Sequence, residues 1–194
     1  MAVVSGGTTL IDNGALAAGV PTGSLILLST QTASASASIS FTSGIDSTYD
    51  SYVFKFIDIH PSTTTDFAFN MSTDGGSTYA VTKTTTHFSA YHTGGTSNLG
   101  YRSTIDLAQS TAFQVLSEVQ TTAAYSTAGT LQIFNPSSTT FVKHFIARLS
   151  DIYSAYSEDR YTAGYGNTTS AVDAVQFKML SGTFDGTIKM YGVK

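Results

Sequence analysis

Histidines are the side chains of this 194-residue chain that could most simply bind a metal or transfer protons at neutral pH. His87 and His92 lie five positions apart, which fits neither a helical i, i+4 metal pair nor an i, i+2 pair on a strand. His144 follows Lys143 in an apolar run, so the two must point to opposite faces of a strand. We therefore predict no metal and no cofactor, and we expect His144 to face solvent or an interface.

Nucleophiles and acid–base pairs are not marked by any motif. The chain has no cysteine, which excludes thiol nucleophiles, thiolate zinc sites and disulfides, and it has no Gly-x-Ser-x-Gly sequence. A glycosidase would need two facing carboxylates, and spacing alone cannot show such a pair. The segment 46–50 and the pair 158–159 lack the aspartate-rich loop of a calcium site. We predict that the protein is not an enzyme. The loosely spaced carboxylates are Asp46, Asp50, Asp58, Asp66 and Asp74.

Tyrosines and an apolar N-terminus offer the clearest binding chemistry. Tyrosine in polar connections provides amphipathic contact area that suits an interface or a sugar-binding face, although such rings can equally cap the ends of a sandwich. The tyrosines in or near connections rich in glycine, serine and threonine are Tyr91, Tyr101, Tyr125, Tyr153, Tyr156, Tyr161 and Tyr165. The residues that we predict to contact a partner are Val3, Val4, Leu10, Ile11, Leu16, Tyr91, Tyr101, Tyr161 and Tyr165.

Composition indicates a β-protein whose polar surface is made of hydroxyl groups. Charged residues are 11% of the chain, whereas there are 31 threonines and 26 serines. Threonine, tyrosine, phenylalanine and valine suit a pleated, half-buried surface. The net charge is −4 and no window holds a basic cluster, so we predict no nucleic-acid partner. The longest apolar run near the start, residues 25–28, is too short for a signal core or a membrane span, so we predict no membrane partner.

Period-two patterns predict strands throughout residues 24–194. We expect a central strand at 51–59, with Tyr52, Phe54 and Phe56 on one face and Ile59 on the other. The stretch 32–40 alternates serine and alanine, which predicts a strand or an extended connector. Segment 106–118 fits an amphipathic helix or a strand, and the strand-rich surroundings favour the strand.

Turn signals place the predicted strands in pairs. The sequence Asp-Gly-Gly-Ser at 74–77 predicts a hairpin between 66–71 and 79–88. The turn at 135–138 predicts a second hairpin between 131–134 and 141–149, with Phe141 on the same face as Phe145 and Leu149. A last pair, 174–180 and 187–193, flanks a glycine-containing turn.

These elements predict an all-β, antiparallel sandwich or jelly-roll-like single domain with an extended N-terminal arm. We assign residues 1–23 to the arm, because they are rich in glycine and alanine with no sustained period, and residues 24–194 to the body. The predicted core contains Phe54, Phe56, Phe69, Phe145 and Phe177.

Five segments resemble a known family. The runs 34–49, 52–61, 72–77, 134–140 and 186–194 are together similar to virion structural proteins of tailed bacteriophages, especially marine and cyanobacterial phages. The likeness extends from about residue 24 to the C-terminus. The resemblance implies a virion component, capsid-associated or tail-fibre-like, and brings no catalytic motif.

Two functions follow as expectations. The first is a capsid decoration (cement) protein: a homo-oligomer such as a trimer, made in the host cytoplasm, that binds the major capsid protein on the outer surface of the virion. The alternative is a host-recognition module of the tail or fibre tip that binds surface glycans. A depolymerase is disfavoured because no catalytic pair can be named.

Overall fold

The fold is all-β within the residues that the structure describes. The computed structural model describes residues 3–12, 15–16, 25–154 and 156–194, and only the backbone of residues 8, 10, 12, 15 and 16. These residues form antiparallel strands and connections without any helix, which confirms the predicted all-β sandwich. The described part of the chain accordingly holds no helix of the length and hydropathy that a membrane span requires.

Two sheets pack face to face to form the body. In spatial order, the larger sheet contains β4 (Leu25–Ser36), β15 (Phe184–Val193), β6 (Ser51–Pro61), β11 (Thr127–Phe134), β12 (Lys143–Tyr153), β13 (Tyr156–Gly166), β8 (Lys83–His92) and β9 (Ser97–Tyr101). The smaller sheet contains β10 (Gln114–Val119), β7 (Thr65–Ser72), β14 (Ala174–Met179) and β5 (Ser38–Phe41). The smaller sheet therefore covers part of one face of the larger one, which we call the inner face.

Phenylalanines fill the space between the sheets. Phe177 of β14 lies at their centre, with ring centroids 5.1 Å from those of both Phe54 and Phe56. Phe69 meets Phe145 edge to face, with centroids 5.0 Å apart. All five predicted core phenylalanines are buried, so the alternation of apolar residues identified the inward-facing positions correctly.

Strand β6 is central, as predicted, but its two faces differ. Its outer-face residue Ile57 is exposed, because the smaller sheet covers only the inner face. Ile59 is buried, contrary to the predicted alternation. Asp58 has a left-handed backbone (φ 53°), and the register with β11 and β15 shifts there. This irregularity turns Ile59 into the core together with Phe56.

Only one of the predicted strand pairings is present. Strands β11 and β12 form the predicted hairpin, but Phe141 precedes the strand and is exposed, while Lys143 occupies the buried face. Strands β7 and β8 do not pair: Gly75 and Gly76 adopt the positive φ that the turn requires, yet the chain then crosses to the other sheet. Strands β14 and β15 also lie in different sheets. The turn residues thus predicted correctly where the chain reverses direction, but they did not predict which strands pair with each other.

Two ambiguous segments become strands in part. Residues 32–40 enter both sheets, since the chain passes from β4 to β5 around Ala35, which has a φ of 47°. Of the segment 106–118, only the last part forms a strand, β10 (Gln114–Val119), and its buried residues include Gln114 and Leu116.

The N-terminal region forms a sheet of its own. It contains β1 (Val3–Ser5), β2 (Thr8–Asp12) and β3 (Ala15–Leu16), and among the described strands these three pair only with one another. Val3 and Val4 are about half exposed. The side chains of Leu10 and Leu16 and the predicted boundary at residues 23 and 24 lie outside the described residues, so the arm and its docking stay predictions.

Candidate functional site

The outer face of the eight-stranded sheet is a candidate interaction surface. Because the smaller sheet packs on the inner face, alternate side chains of every long strand of this sheet point away from the core. Several of them are large and apolar. The exposed ones include Leu27 of β4, Ile57 of β6, Phe134 of β11, Ile146 of β12 and Phe88 of β8. Apolar residues at these positions contribute nothing to the core, which makes the face a candidate for contact with a partner.

A stacked row crosses this face from β8 to β12. The rings of Phe88 and Tyr161 are nearly parallel, with centroids 4.7 Å apart. The Arg148 guanidinium lies over the other side of Tyr161, 5.1 Å from its centroid. Arg148 also donates hydrogen bonds from Nε and Nη2 to both carboxylate oxygens of Asp159. The Tyr161 hydroxyl donates to the same carboxylate, which raises the pKa of Tyr161. Both faces of the Tyr161 ring are therefore occupied, so it cannot stack on a sugar.

The four tyrosines predicted to contact a partner do not form one site. Tyr101, Tyr161 and Tyr165 lie on the outer face, whereas Tyr91 lies on the inner side of β8, beside Tyr156. Of the seven tyrosines predicted to lie in or near connections, Tyr125 lies in a connection, five lie at or next to a strand end, and only Tyr161 lies in the middle of a strand. The Tyr101 hydroxyl donates to Asp106 and that of Tyr165 accepts from Gln109. Cross-strand packing and turn contacts occupy most of these side chains.

A shallow depression lies beside the stacked row. It is open to solvent, has a volume of about 540 Å³, and forms where the small side chain of Ala163 lies between larger neighbours. Its rim contains Phe134, His144, Ile146 and Tyr165. His144 is exposed there, as predicted for a solvent or interface histidine. This depression can accept an apolar side chain or a small polar ring.

A buried ionic network occupies the inner face beyond the edge of the smaller sheet. Arg160 is completely buried and donates to Asp151 at 2.7 Å, Glu158 at 2.7 Å and Glu118 at 2.8 Å. Arg102 reaches the same Glu158 at 2.9 Å. Burial raises the pKa of Asp151, although Arg160 opposes this effect. The network links β10 of the smaller sheet to β12 and β13, and its burial indicates a structural role.

Polar atoms without partners accompany this network. Among the described residues, the buried atoms His87 Nε2, Asp151 Oδ1 and Arg160 Nη1 have no hydrogen-bond partner. His87 is fully buried and its Nδ1 lies 2.8 Å from the Thr162 hydroxyl. Burial, reinforced by the charges of Arg160 and Arg102, lowers the pKa of His87 to about 4. This histidine is therefore neutral at physiological pH.

His87 is expected to make the protein less stable in acid. The unfolded imidazole binds a proton below about pH 6.5, whereas the folded one stays neutral to about pH 4, so stability falls between these values by about 2–3 kcal/mol. Replacing His87 by glutamine should remove this part of the pH dependence, as measured by urea unfolding at pH 7.5 and 4.5. The carboxylates titrate in the same way in both proteins. The difference between the two proteins in how the free energy of unfolding changes with pH is therefore due to His87.

The exposed His144 supplies the control for this measurement. His144→Gln should keep the wild-type pH dependence, because this side chain lies outside the core. Equal slopes for wild type and His87→Gln would contradict the burial argument.

Asp46 and Asp74, two of the loosely spaced carboxylates, form hydrogen bonds within turns. Asp46 accepts from the backbone of Thr48, and Asp74 accepts from Ser72 and Thr78; these hydrogen bonds lower the pKa of both aspartates. His92 is exposed at the end of β8. Within the described residues, no three histidine, aspartate or glutamate side chains are grouped to hold a metal ion.

The buried lysines were missed by the sequence analysis. Lys83 and Lys143 are fully buried and flank Gly166 across the inner face. Lys143 donates to the backbone carbonyls of Ser138, Phe141 and Thr168. The period-two pattern could have predicted that Lys143 is buried, because Lys143 shares its face of β12 with Phe145 and Leu149. No such pattern in the sequence identifies the residues that contact Lys83.

No family model matches this chain, and no curated protein matches its sequence.

Proposed function

We propose that the protein is a structural component of a bacteriophage virion, a capsid decoration protein that assembles with copies of itself on the outer surface of the particle. The resemblance of residues 34–49, 52–61, 72–77, 134–140 and 186–194 to virion proteins supports the choice of particle. The exposed valines of β1 support a role for the N-terminal region in contacting a neighbour, with the major capsid protein as the partner. In this proposal the protein performs no chemistry.

The observation that carries the assembly part of the proposal is the absence of charge on both edges of the large sheet. Edge strands expose unpaired backbone donors and acceptors, and proteins usually protect them with charged residues or proline. Neither β4 nor β9 contains either. Strand β4 has irregularities in register, but Ser29–Ala33 runs regularly between them. An unprotected edge of this kind suits pairing with an edge of another copy.

Imaging of the particle and the mass of the oligomer test this proposal. We expect density for this fold on the outer capsid surface and a multimeric mass for the purified protein by sedimentation. The double variant Thr30→Lys, Thr32→Lys places two charges on the regular part of β4 and should lower the mass to that of a monomer. Thr139→Lys, an exposed turn substitution, is the control.

A second function is favoured by the depression beside Tyr165. Its size and its mixture of aromatic and hydroxyl groups suit a single sugar ring, as a host-recognition module of the tail or fibre tip would need. Density at the tail tip, or polysaccharide binding that Tyr165→Ala abolishes, would favour this function over decoration. A monomeric protein absent from virions would contradict both.

A further inference from the structure

Lys83 lies in the core without a carboxylate partner among the residues that the structure describes. Its side chain is completely buried, and its Nζ donates to the Val81 carbonyl at 2.8 Å and to the Asn70 side-chain carbonyl at 2.5 Å. A buried lysine normally has a counter-ion, because a charged ammonium is costly to remove from water. Burial alone lowers the pKa of Lys83 to about 7. Much of it is thus a neutral amine at physiological pH, with a free lone pair.

Asn70 is held in one orientation by its surroundings. It is fully buried on β7, and its Nδ2 donates to the carbonyls of Tyr79 and Thr111 at 2.8 and 2.9 Å. Its Oδ1 accepts the backbone N–H of Met71 at 2.8 Å as well as the Lys83 amine. An inverted amide would lose all of these bonds, so the carbonyl must face the lysine.

We propose that Lys83 and Asn70 join in an intramolecular isopeptide bond. The Lys83 Nζ attacks the side-chain carbonyl carbon Cγ of Asn70, so that an Nζ–Cγ bond forms and the Cγ–Nδ2 bond breaks. One proton passes from Nζ to Nδ2, which leaves as ammonia. The product is a neutral secondary amide, and no oxidant, reductant or cofactor takes part.

The distance between the two groups suits this step. Because a C=O bond is about 1.23 Å long, Nζ lies no more than about 3.7 Å from Cγ, close to the ~3–3.5 Å of a near-attack arrangement. The Met71 N–H already donates to Oδ1, where negative charge develops during attack. The Val81 carbonyl accepts a hydrogen bond from Nζ and so helps to orient the amine. The product removes a costly amine from the core.

The slow part of the reaction is the proton transfer. Among the described residues, no carboxyl group hydrogen-bonds to either side chain, so the proton must pass directly between the two nitrogens. We therefore expect the bond to form after folding over a long incubation, and faster as pH rises, with the rate levelling off above about pH 7.

The bond would link the two sheets. Asn70 belongs to β7 of the smaller sheet and Lys83 to β8 of the larger one, and the irregular segment between them makes the crossing. A chain without cysteine would thereby gain a covalent link that does not depend on redox conditions. This inference is independent of where the protein is located.

Intact-mass spectrometry of the purified full-length protein tests the proposal. During incubation of the folded protein at pH 6, 7.5 and 9, we expect conversion to a species lighter by one ammonia. Trypsin should no longer cleave after Lys83, and a second digestion that cleaves at Asp74 should then give a branched peptide that joins residues 70 and 83. Protein kept in denaturant should not convert. An unchanged mass after prolonged incubation of the folded protein at pH 9 would overturn the proposal.

Variants distinguish this bond from other losses of ammonia. Lys83→Arg should abolish the loss, because a guanidinium does not attack the amide. Lys143→Arg is the matched control, since Lys143 is equally buried but contacts backbone carbonyls only, and it should retain the loss. Should Lys83→Arg fail to fold, the branched peptide of the wild type decides. A lighter species without that peptide would also overturn the proposal.

Discussion

Replacement of Phe177 by alanine is expected to lower the free energy of unfolding by about 3–5 kcal/mol, the usual cost of emptying a well-packed aromatic site. Phe177 is completely buried and packs against phenylalanines from both sheets. Its ring neighbours are Phe41, Phe54, Phe56, Phe67 and Phe69. Because so many rigid rings surround it, the cavity cannot collapse easily, and we expect a cost at the upper end of this range.

Equilibrium unfolding in urea, monitored by tyrosine fluorescence, measures this loss. Phe141→Ala is the matched control, since it deletes the same ring from a position that is 69% exposed. Its expected cost is below about 0.5 kcal/mol, as for other surface substitutions. A small cost at Phe177, or equal costs at both positions, would show that the two sheets do not enclose this ring.

The core was predictable because burial leaves a local pattern in the sequence. Phe54 and Phe56 alternate with polar or smaller residues, and a strand must place them on one face. The same rule predicted opposite faces for Lys143 and His144, which the structure confirms. It failed at Ile59, because the left-handed backbone of Asp58 inserts an irregularity that alternation cannot reveal.

The pairing of strands was less predictable because it depends on distant parts of the chain. The turn at Asp74 has the expected glycine conformations, yet β7 pairs with β10 and β14 instead of β8. A hairpin and a crossing between sheets can share the same turn residues, and only the packing of both faces decides between them.

The sequence predicted the kinds of residue at the candidate sites better than it predicted their positions and contacts. Tyrosines do lie on an exposed surface, but Phe88 and Arg148 enclose the ring of Tyr161, and these contacts join three strands whose order the sequence did not reveal. The network around Arg160 was missed, although Glu158 and Arg160 are two apart and must share one face of a strand. Because charged residues are rarely buried, this pattern alone does not place that face in the core.

Replacement of Arg160 by methionine is expected to cost about 3–5 kcal/mol, because it leaves buried carboxylates without their main partner. Asp151 would keep only its hydrogen bond from Ser117, while Glu158 would retain Arg102. The variant preserves the volume and apolar stem of the side chain, so the loss reports mainly on charge. Urea unfolding at pH 7.5 gives the magnitude.

Arg148→Met is the control that separates the effect of burial, because it removes an arginine from an exposed ion pair. Arg148 also pairs with an aspartate, at 2.7 Å from Asp159, but its side chain is 64% exposed on the outer face. We expect this variant to cost no more than about 1 kcal/mol, since water screens the pair. If the two variants lost equal stability, burial of the Arg160 network would not explain its contribution.

The pH dependence of the Arg160→Met variant tests the electrostatic cause directly. Burial already raises the pKa of Asp151 in the wild type, and removing the guanidinium that opposes this effect raises it further. The folded variant then binds a proton at a higher pH than the unfolded chain does, so its stability falls as pH increases through that raised pKa. The deficit relative to wild type should therefore be smaller at pH 5 than at pH 8. A deficit that does not change with pH would indicate lost packing as the cause instead of unpaired charge.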